Sequence, residues 1–347
     1  MRLTFGLGLY TGQRPPGSTA GPLYRDAIAL AEAAEAAGFD AFWVSEHHGF
    51  LDSYLPSPLT VLAAIAARTD RIRLATGVLV APFAHPLHLA EDAAVVDQVS
   101  DGRLLLGLGL GYAVHEYQAF GVDRTARGAA LADLVAFLRT AWRGEQFDWD
   151  GPCGRGRGLR VTPRPVQDPV PIWLGGYAAT AVRRAARIAE GYLLGRADDD
   201  IVVATHDLLA SQRMSAGAGF TFGLNVITAF ADDPADAAAA RAGLAYQQST
   251  YDTVQVGGIA HAGRVATASA PVSAETVDAY VHVSGDPATI AARMVDKLAP
   301  ISAWPSIHLV VRALFPEPDL RRQVGRVERL GAEVLPRIRA AVGGDAA

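Results

Sequence analysis

The sequence predicts an α/β fold in which eight strand–helix units close into a parallel (β/α)8 barrel, known as a TIM barrel. Two observations predict it. Short apolar runs of strand type alternate with longer helical runs, and half of the 347 residues are apolar, which supplies a large core. A count of eight units favours a closed barrel over an open sheet.

The first four units are read from apolar runs that end at turn residues. The first helix stops at Gly38, a residue type that accepts the left-handed geometry found after helix ends. Pro58 suits the first turn of the second helix. The strands are expected at 3–10, 40–46, 71–81 and 102–112, and the helices at 24–37, 58–68, 87–99 and 125–142.

The last four units follow the same pattern. The strand "VPIWLGG" runs directly into the helix "YAATAVRRAARIAE", and "GYLLG" is a short sixth strand. The strands are expected at 170–176, 191–195, 220–230 and 306–313, and the helices at 177–190, 200–213 and 319–341.

Two insertions interrupt the repeat, one after the fourth strand and one before the eighth. Residues 144–170 are rich in Gly, Pro and Arg and predict a hairpin excursion, whereas 251–285 precede an extra helix, "DPATIAARMVDKL". Connections this long are usually functional, so 251–285 is a candidate lid over the site. No linker divides the chain, and we expect a single domain over 1–347.

Composition limits the partners and the compartment. A net charge of -5 leaves no excess of cations for a phosphate backbone, so nucleic acid is not an expected partner. The single cysteine, Cys153, cannot form an internal disulfide, and no secretory leader opens the sequence. The apolar runs fall short of the roughly 20 residues that a spanning helix needs. We therefore expect a cytoplasmic protein that does not insert into membranes.

The stretch "FWVSEHHGF" (42–50) places Glu46, His47 and His48 at the end of the second strand. Active sites of such barrels lie at the carboxyl ends of the strands, which makes these three residues catalytic candidates. The structural alternative is that the histidines only bond to nearby backbone. Adjacent side chains on extended chain point apart, and His85 and His88 have no evident third ligand, so no metal site is expected.

Two glycine-rich turns are candidates for cofactor binding. "GLGLG" (107–111) ends the fourth strand and could let a flat ring or a phosphate approach the backbone, although a crowded barrel rim explains it equally well. It lacks the third glycine of a dinucleotide fingerprint. In "WLGGYAAT", Gly175 and Gly176 lead into a helix whose first amides suit a phosphate, with Thr180 as a further donor.

The chain resembles the bacterial luciferase-like family of flavin-dependent monooxygenases. The resemblance rests on four stretches in the family's order: "GFDAFWVSEHH", "TDRIRLATGVLVAPFAHPLHLAEDAAVVDQVSDGRLLLGLGLGY", "EYQAFGVDRTARG" and "PIWLGGYAATAVRRAARIAEGYLLG". It implies a TIM barrel that binds reduced FMN, or in sister branches a reduced deazaflavin, as a cosubstrate rather than a permanent group.

The resemblance also implies roles for individual residues. His47 takes the catalytic position of the Glu-His-His run, with Glu46 and His48 beside it, and Glu116 is an acidic residue near the flavin ring. A non-proline cis peptide behind the ring would fall between Gly77 and Val78. The remaining contacts to ring and phosphate would come from Gly109, Leu110, Tyr112, Gly176, Tyr177 and Thr180.

Two positions depart from luciferase, which has an arginine at Leu110 and a cysteine at Gly109. Without that arginine, the flavin phosphate would need Arg183, Arg184 or Arg196.

The implied activity is oxygenation of a small organic substrate, for example an aromatic or polyketide secondary metabolite. A separate reductase would supply reduced FMN, and O2 would convert it to the flavin hydroperoxide that transfers the oxygen. An imidazole, whose ordinary pKa is near 6.5, can hold or relay the proton involved, which gives His47 its role, and Glu46 could orient that ring. The first alternative is hydride transfer from a reduced deazaflavin; the second is a flavin-binding protein without turnover. The small apolar faces of the second and third helices indicate a homodimer.

Overall fold

The computed structural model describes residues 1–15, 23–213, 219–257 and 281–343. The strands are β1 (Arg2–Tyr10), β2 (Ala41–Val44), β3 (Arg73–Thr76), β4 (Leu79–Val80), β5 (Leu104–Gly109), β6 (Phe147–Gly151), β7 (Gly154–Leu159), β8 (Ile172–Gly175), β9 (Gly191–Leu194), β10 (Thr221–Phe230), β11 (Val283–Gly285) and β12 (Ser306–Arg312). The helices are α1 (Leu23–Ala36), α2 (Pro58–Ala66), α3 (Pro86–Val99), α4 (Val114–Ala119), α5 (Arg127–Ala141), α6 (Ala179–Ile188), α7 (Asp199–Arg213), α8 (Pro234–Gly257), α9 (Pro287–Leu298), α10 (Leu320–Arg329) and α11 (Leu335–Ala341).

Eight parallel strands close into a barrel in the order β1, β2, β3, β5, β8, β9, β10 and β12. β12 pairs with β1, and the pairing of β9 with β10 completes the ring. The short strands β4 and β11 extend the sheet at β5 and β10. The predicted (β/α)8 barrel is therefore confirmed. Across the described residues, no helix combines the length and apolar character needed to cross a membrane.

Several elements differ from the sequence prediction, among them the short helix α4, which was not predicted, and the last helix, which is divided into α10 and α11. The strand expected at 71–81 is two strands, because the chain leaves the β3 ladder at Gly77 and Val78 before β4 pairs with β5. The 24-residue helix α8 was not predicted; its alanine-rich run has strong helix formers but no distinct apolar stripe. The three-residue strand β11 is too short to be read from an apolar pattern.

The excursion expected at 144–170 is an antiparallel hairpin of β6 and β7, as predicted. It is fastened to α5 by Asp133, which accepts hydrogen bonds from the Cys153 backbone N–H (2.9 Å) and from Trp149 Nε1 (3.2 Å). Burial, reinforced by Asp133, raises the pKa of the Cys153 thiol to about 12. The thiol is therefore protonated at neutral pH and is no candidate nucleophile.

The candidate lid at 251–285 is described only at its two ends. Residues up to 257 continue α8, and β11 begins at Val283. The connection between them, 258–280, lies outside the described residues, so the lid remains a prediction.

The barrel is filled by a compact apolar cluster that is separate from the larger core between strands and helices. Its buried members are Leu9, Ala41, Trp43, Ala75, Leu105, Trp173, Leu193 and Val310. Because alternate side chains of a strand face opposite sides, the barrel strands other than β10 contribute to both cores.

A hydrogen-bonded histidine lies below this cluster. Trp43 Nε1 donates to His308 Nε2 over 3.0 Å, and the Thr4 hydroxyl lies 2.7 Å from His308 Nδ1. Since an indole only donates, Nε2 must accept, and the ring proton belongs on Nδ1 facing Thr4. Burial lowers the pKa of His308 to about 3, so the ring is neutral in the folded protein.

The neutral His308 makes folding sensitive to acid. In the unfolded chain a histidine takes up a proton near pH 6.5, whereas the folded ring does so only near pH 3. Stability from this group is complete above pH 6.5 and falls by about 1.4 kcal/mol per pH unit as the pH drops toward 3. We expect the free energy of unfolding of a His308→Gln variant to depend less steeply on pH in this range. The measurement is urea unfolding of both proteins between about pH 6 and pH 4; equal slopes would contradict the assignment.

Candidate active site

The predicted catalytic residues lie at the barrel end where the strands terminate. Glu46, His47 and His48 follow β2, and Val78 follows β3. Tyr112 follows β5, on the loop that leads to α4. The closed parallel barrel brings these loops to one mouth, which is where barrel enzymes place their chemistry.

The central feature of the mouth is a hydrogen-bonded pair of His47 and Glu116. His47 is only 8% exposed and Glu116 is fully buried. His47 Nδ1 lies 2.9 Å from Glu116 Oε1, and the same oxygen accepts from the backbone N–H of His48 over 2.8 Å. Burial alone would raise the pKa of the Glu116 carboxyl, but these hydrogen bonds and the His47 charge hold it below its usual value.

The ionised carboxylate fixes the orientation of the His47 ring. A carboxylate only accepts hydrogen bonds, so His47 Nδ1 must carry a proton, which it donates to Glu116 in both the charged and the neutral form of the ring. The Nε2 atom then presents a lone pair on the opposite side of the ring. His47 is thereby arranged to accept or release a proton at Nε2.

Aromatic rings enclose this imidazole. The ring centroid of Tyr54 lies 4.5 Å away, and those of Phe50, Tyr112 and Tyr251 lie 5.4, 5.5 and 6.1 Å away. The hydroxyls of Tyr54 and Tyr251 are 2.7 Å apart, which connects the loop after β2 to α8. Burial raises the pKa of both Tyr54 and Tyr112. These phenols are therefore neutral, and their rings exclude water from His47.

Glu46 contacts His48 rather than His47, so the orienting residue for His47 is Glu116 and not Glu46 as the sequence suggested. Glu46 Oε1 lies 3.2 Å from His48 Nε2, and Glu46 Oε2 accepts from the backbone N–H of Val80. His48 also packs edge-on against Phe120. This second pair joins the end of β2 to β4, and its geometry is structural.

The glycines of "GLGLG" are explained in part by packing. The Gly77–Val78 peptide bond is cis, as the family resemblance implies. A Cβ at Gly109 would overlap Val78, one at Gly107 would overlap the carbonyl oxygen of Thr76, and one at Gly175 would lie 3.3 Å from Val78. Glycine is thus required for close approach around Val78, and contact of Gly77, Val78 and Gly109 with a cofactor remains a prediction.

The turn after β8 has the geometry of an anion site. Gly176 has φ +150°, and α6 starts at Ala179 with no side chain capping its first turn. Thr180 in that turn is exposed. The first amides of a helix lack internal partners and carry partial positive charge, so they remain available to a phosphate.

The three arginines proposed to replace the one missing at Leu110 differ in their availability. Arg183 is exposed, and Arg184 lies against Gly128 of α5. Arg196 forms an ion pair with Asp198 at 2.7 Å.

A fourth arginine, Arg127, was not singled out from the sequence. Its Nη1 atom is buried without a hydrogen-bond partner. It lies beside Tyr117. Burial raises the pKa of Tyr117, and the charge and hydrogen bond of Arg127 partly oppose that rise. The Tyr117 hydroxyl donates to the carbonyl of Leu110. Arg127 therefore brings a cation to the end of β5. Its only sequence signal is its place in "EYQAFGVDRTARG".

No group of three or more potential ligands is arranged to hold a metal ion within the ranges that the structure describes. His85 and His88 do lie together, with ring centroids 5.2 Å apart, but they form only a pair.

A closed parallel barrel with a histidine–carboxylate pair at its mouth is the architecture of a barrel enzyme. Residues 3–300 match the model of the family described as luciferase-like monooxygenase, and the chain belongs to that family.

Relatives within the family use different carriers. The oxygenase component of a flavin-dependent trigonelline monooxygenase from Acinetobacter baylyi is 34% identical over 155 residues, 44% of this chain and 43% of that protein. An F420-dependent glucose-6-phosphate dehydrogenase from Nakamurella multipartita is 34% identical over 173 residues, 47% of this chain and 50% of that protein. The chain thus aligns with about half the length of these curated relatives.

The fold is also shared with solved structures. The monooxygenase RslO1 from Streptomyces bottropensis superposes with a TM-score of 0.76 at 24% identity, covering 97% of this chain and 99% of that one. At this identity the likeness concerns the fold.

The structural role of Glu46 predicts a loss of stability when it is truncated. In Glu46→Ala the buried N–H of Val80 loses its acceptor and His48 loses its carboxylate, which should reduce the free energy of unfolding by about 1–3 kcal/mol. Glu46→Gln keeps an acceptor oxygen and should lose less. The control is Asp92→Ala, at an exposed position on α3, where we expect a change within about 0.5 kcal/mol. Equal urea midpoints for the two alanine variants would contradict the role.

Proposed function

We propose that this protein is a flavin-dependent monooxygenase that accepts reduced FMN from a separate reductase and uses O2 to oxygenate a small organic substrate. The observation that carries the proposal is the buried His47–Glu116 pair at the mouth of a luciferase-like barrel, next to polar atoms that have no partner among the residues that the structure describes.

Two unpartnered atoms lie beside His47. The Tyr112 hydroxyl and Glu116 Oε2 are buried and have no hydrogen-bond partner in the described part of the chain. Buried polar groups in folded proteins are nearly always hydrogen-bonded, so their partner is expected to be a ligand. The edge of an isoalloxazine ring, which carries both N–H and carbonyl groups, is chemically suited to both atoms.

A third unpartnered atom supports the phosphate end. This atom, Arg127 Nη1, lies at the end of β5. The neighbouring strand, β8, leads to the uncapped N-terminus of α6. A guanidinium and free helix amides are the usual ligands of a phosphate. We propose that Arg127, with Gly176, Tyr177 and Thr180, takes over the task of the arginine missing at Leu110.

The protein's own residues would then control protons and water. A reduced flavin, when bound, supplies the electrons that activate oxygen. His47 Nε2 holds or relays a proton at the reacting centre, and Glu116 keeps that nitrogen aimed at it. The rings of Phe50, Tyr54 and Tyr251 keep the site dry, which suppresses wasteful release of hydrogen peroxide.

The second candidate is a deazaflavin-dependent oxidoreductase, favoured by the similarity to F420-dependent dehydrogenases. His47 would then protonate or deprotonate the organic substrate while a hydride moves between the substrate and the carrier.

We further propose a cytoplasmic homodimer formed through α2 and α3, since Val95 and Val99 on α3 are 45% and 50% exposed. Sedimentation of a monomer only would refute the dimer.

Titration with the two reduced carriers tests the proposal. Under anaerobic conditions we expect reduced FMN to bind more tightly than reduced riboflavin, because only FMN carries the phosphate. In Arg127→Gln the FMN affinity should fall about 10- to 100-fold, the equivalent of one or two charged hydrogen bonds, while riboflavin affinity stays unchanged. Preferential binding of a reduced deazaflavin, with oxygen-independent turnover, would transfer the assignment to the second candidate.

The role of His47 predicts a separate change. With reduced FMN and oxygen, His47→Ala should still bind flavin but release hydrogen peroxide faster than the wild type, since the proton is no longer held in place. Rapid mixing with oxygenated buffer and a peroxide assay measures this rate. His48→Ala is the control, because its ring contacts Glu46 and Phe120 instead. Identical peroxide release by wild type and His47→Ala would disprove the role.

A further inference from the structure

Arg312 is a buried cation at the mouth that none of the steps above uses. It is the last residue of β12 and is 8% exposed. Val310 and His308, two and four residues earlier on the strand, lie inside the barrel. Since alternate residues of a strand share a face, Arg312 also faces the barrel axis, at the mouth.

The guanidinium of Arg312 has no carboxylate partner among the described residues. Its one hydrogen bond goes from Nη2 to the neutral amide oxygen of Gln247 on α8, over 2.7 Å, and its Nε is buried without a partner. Arg326, by contrast, is buried between the carboxylates of Asp236 and Glu317. A buried charge without a counter-charge is costly, so its retention calls for an anionic partner.

A second unpartnered atom lies on the neighbouring strand. Asn225 of β10 is 2% exposed, and its Oδ1 is buried without a partner. In the β10–β12 register Asn225 pairs with Val310, and Ile227 pairs with Arg312. Asn225 therefore lies one step deeper on the same wall of the barrel. Its free atom is an amide oxygen, which accepts a hydrogen bond and suits a donor group of a ligand rather than its carboxylate.

The charges around Arg312 are not those of a closed ion-pair network. The pKa of the Tyr177 hydroxyl is raised by burial, and the positive charges of Arg312 and Arg196 oppose that rise. Burial, reinforced by cations that include Arg312, lowers the pKa of His282 to about 4. Both neighbours are therefore neutral, and Asp198, which acts on His282, is already paired with Arg196.

Arg312 lies across the barrel from the end of β5 that Arg127 approaches. Around the ring, β12 lies opposite β5, with β1, β2 and β3 on one side and β10, β9 and β8 on the other. Arg127 and the α6 N-terminus belong to the β5 and β8 side. His47, after β2, lies between the two. A flavin bound on the β5 and β8 side thus leaves the β12 side of the mouth free for the organic substrate.

We propose that Arg312 binds a carboxylate of the organic substrate and directs the opposite end of that substrate toward His47. The planar guanidinium can give a carboxylate two parallel hydrogen bonds, which fixes both position and direction. The inference rests on the proposed function for the reaction itself, and it names the substrate class as small organic acids.

Anion binding can be measured without any flavin. Benzoate and benzamide have nearly the same shape and differ in charge, so they serve as probe and neutral control in calorimetric titrations. We expect benzoate to bind the wild type more tightly than benzamide. In Arg312→Gln the benzoate dissociation constant should rise about 10- to 100-fold. Arg321→Gln removes an exposed arginine of α10 and should leave it unchanged.

The same variants separate binding from a structural role. If Arg312 is an uncompensated buried charge, its replacement by Gln should leave the melting temperature of the unliganded protein unchanged or higher. Equal affinity for benzoate and benzamide, or unchanged benzoate affinity in Arg312→Gln, would overturn the proposal. If that variant does not fold, Arg312→Lys decides: it keeps the charge but loses the fork, so weaker benzoate binding supports the proposal and unchanged binding overturns it.

These results do not depend on the carrier. Failure of reduced FMN to bind would refute the monooxygenase proposal and leave the benzoate measurement intact. Loss of benzoate discrimination with normal flavin binding would refute only the substrate class.

Discussion

The site depends on one buried carboxylate. Glu116 is fully buried, yet it remains ionised because a single oxygen accepts from both the His47 ring and the His48 backbone. These bonds join the loop after β2 to α4, two segments far apart in sequence. They also dictate which nitrogen of His47 carries the proton. Folding of the mouth and orientation of the reactive group are therefore the same event, and neither loop reaches its geometry without the other.

Side chains inside the barrel close the lower side of the mouth. Trp43, Trp173 and His308 fill the space below it, with ring centroids 5.5 Å apart for each pair. His308 satisfies its two nitrogens with Trp43 and Thr4, so the layer contributes no unpaired polar group. Ligands can approach only from the strand ends. Among the described residues, Tyr112, Glu116 and Arg312 each have a buried polar atom without a partner on that open side.

The strand order and most of the helices could be predicted from the sequence, because apolar period and turn residues are local signals. The position of His47 could be predicted for the same reason, since it directly follows a buried strand. What the sequence did not provide were the partners. Glu116 rather than Glu46 orients His47, and Arg127 reaches the end of β5 from the start of α5. Such contacts depend on closure of the ring and leave no trace in local spacing.

The distribution of charge at the mouth suggests how a single scaffold serves several reactions. On the side of β2 and β5, the ionised Glu116 and neutral phenols form an environment that manages protons. On the side of β12, Arg312 stands without a counter-charge under α8. The proton-handling side is built from loops tied together by hydrogen bonds, whereas Arg312 is tied only to Gln247. A change at position 312 would therefore disturb little else and would leave the pair of His47 and Glu116 in place.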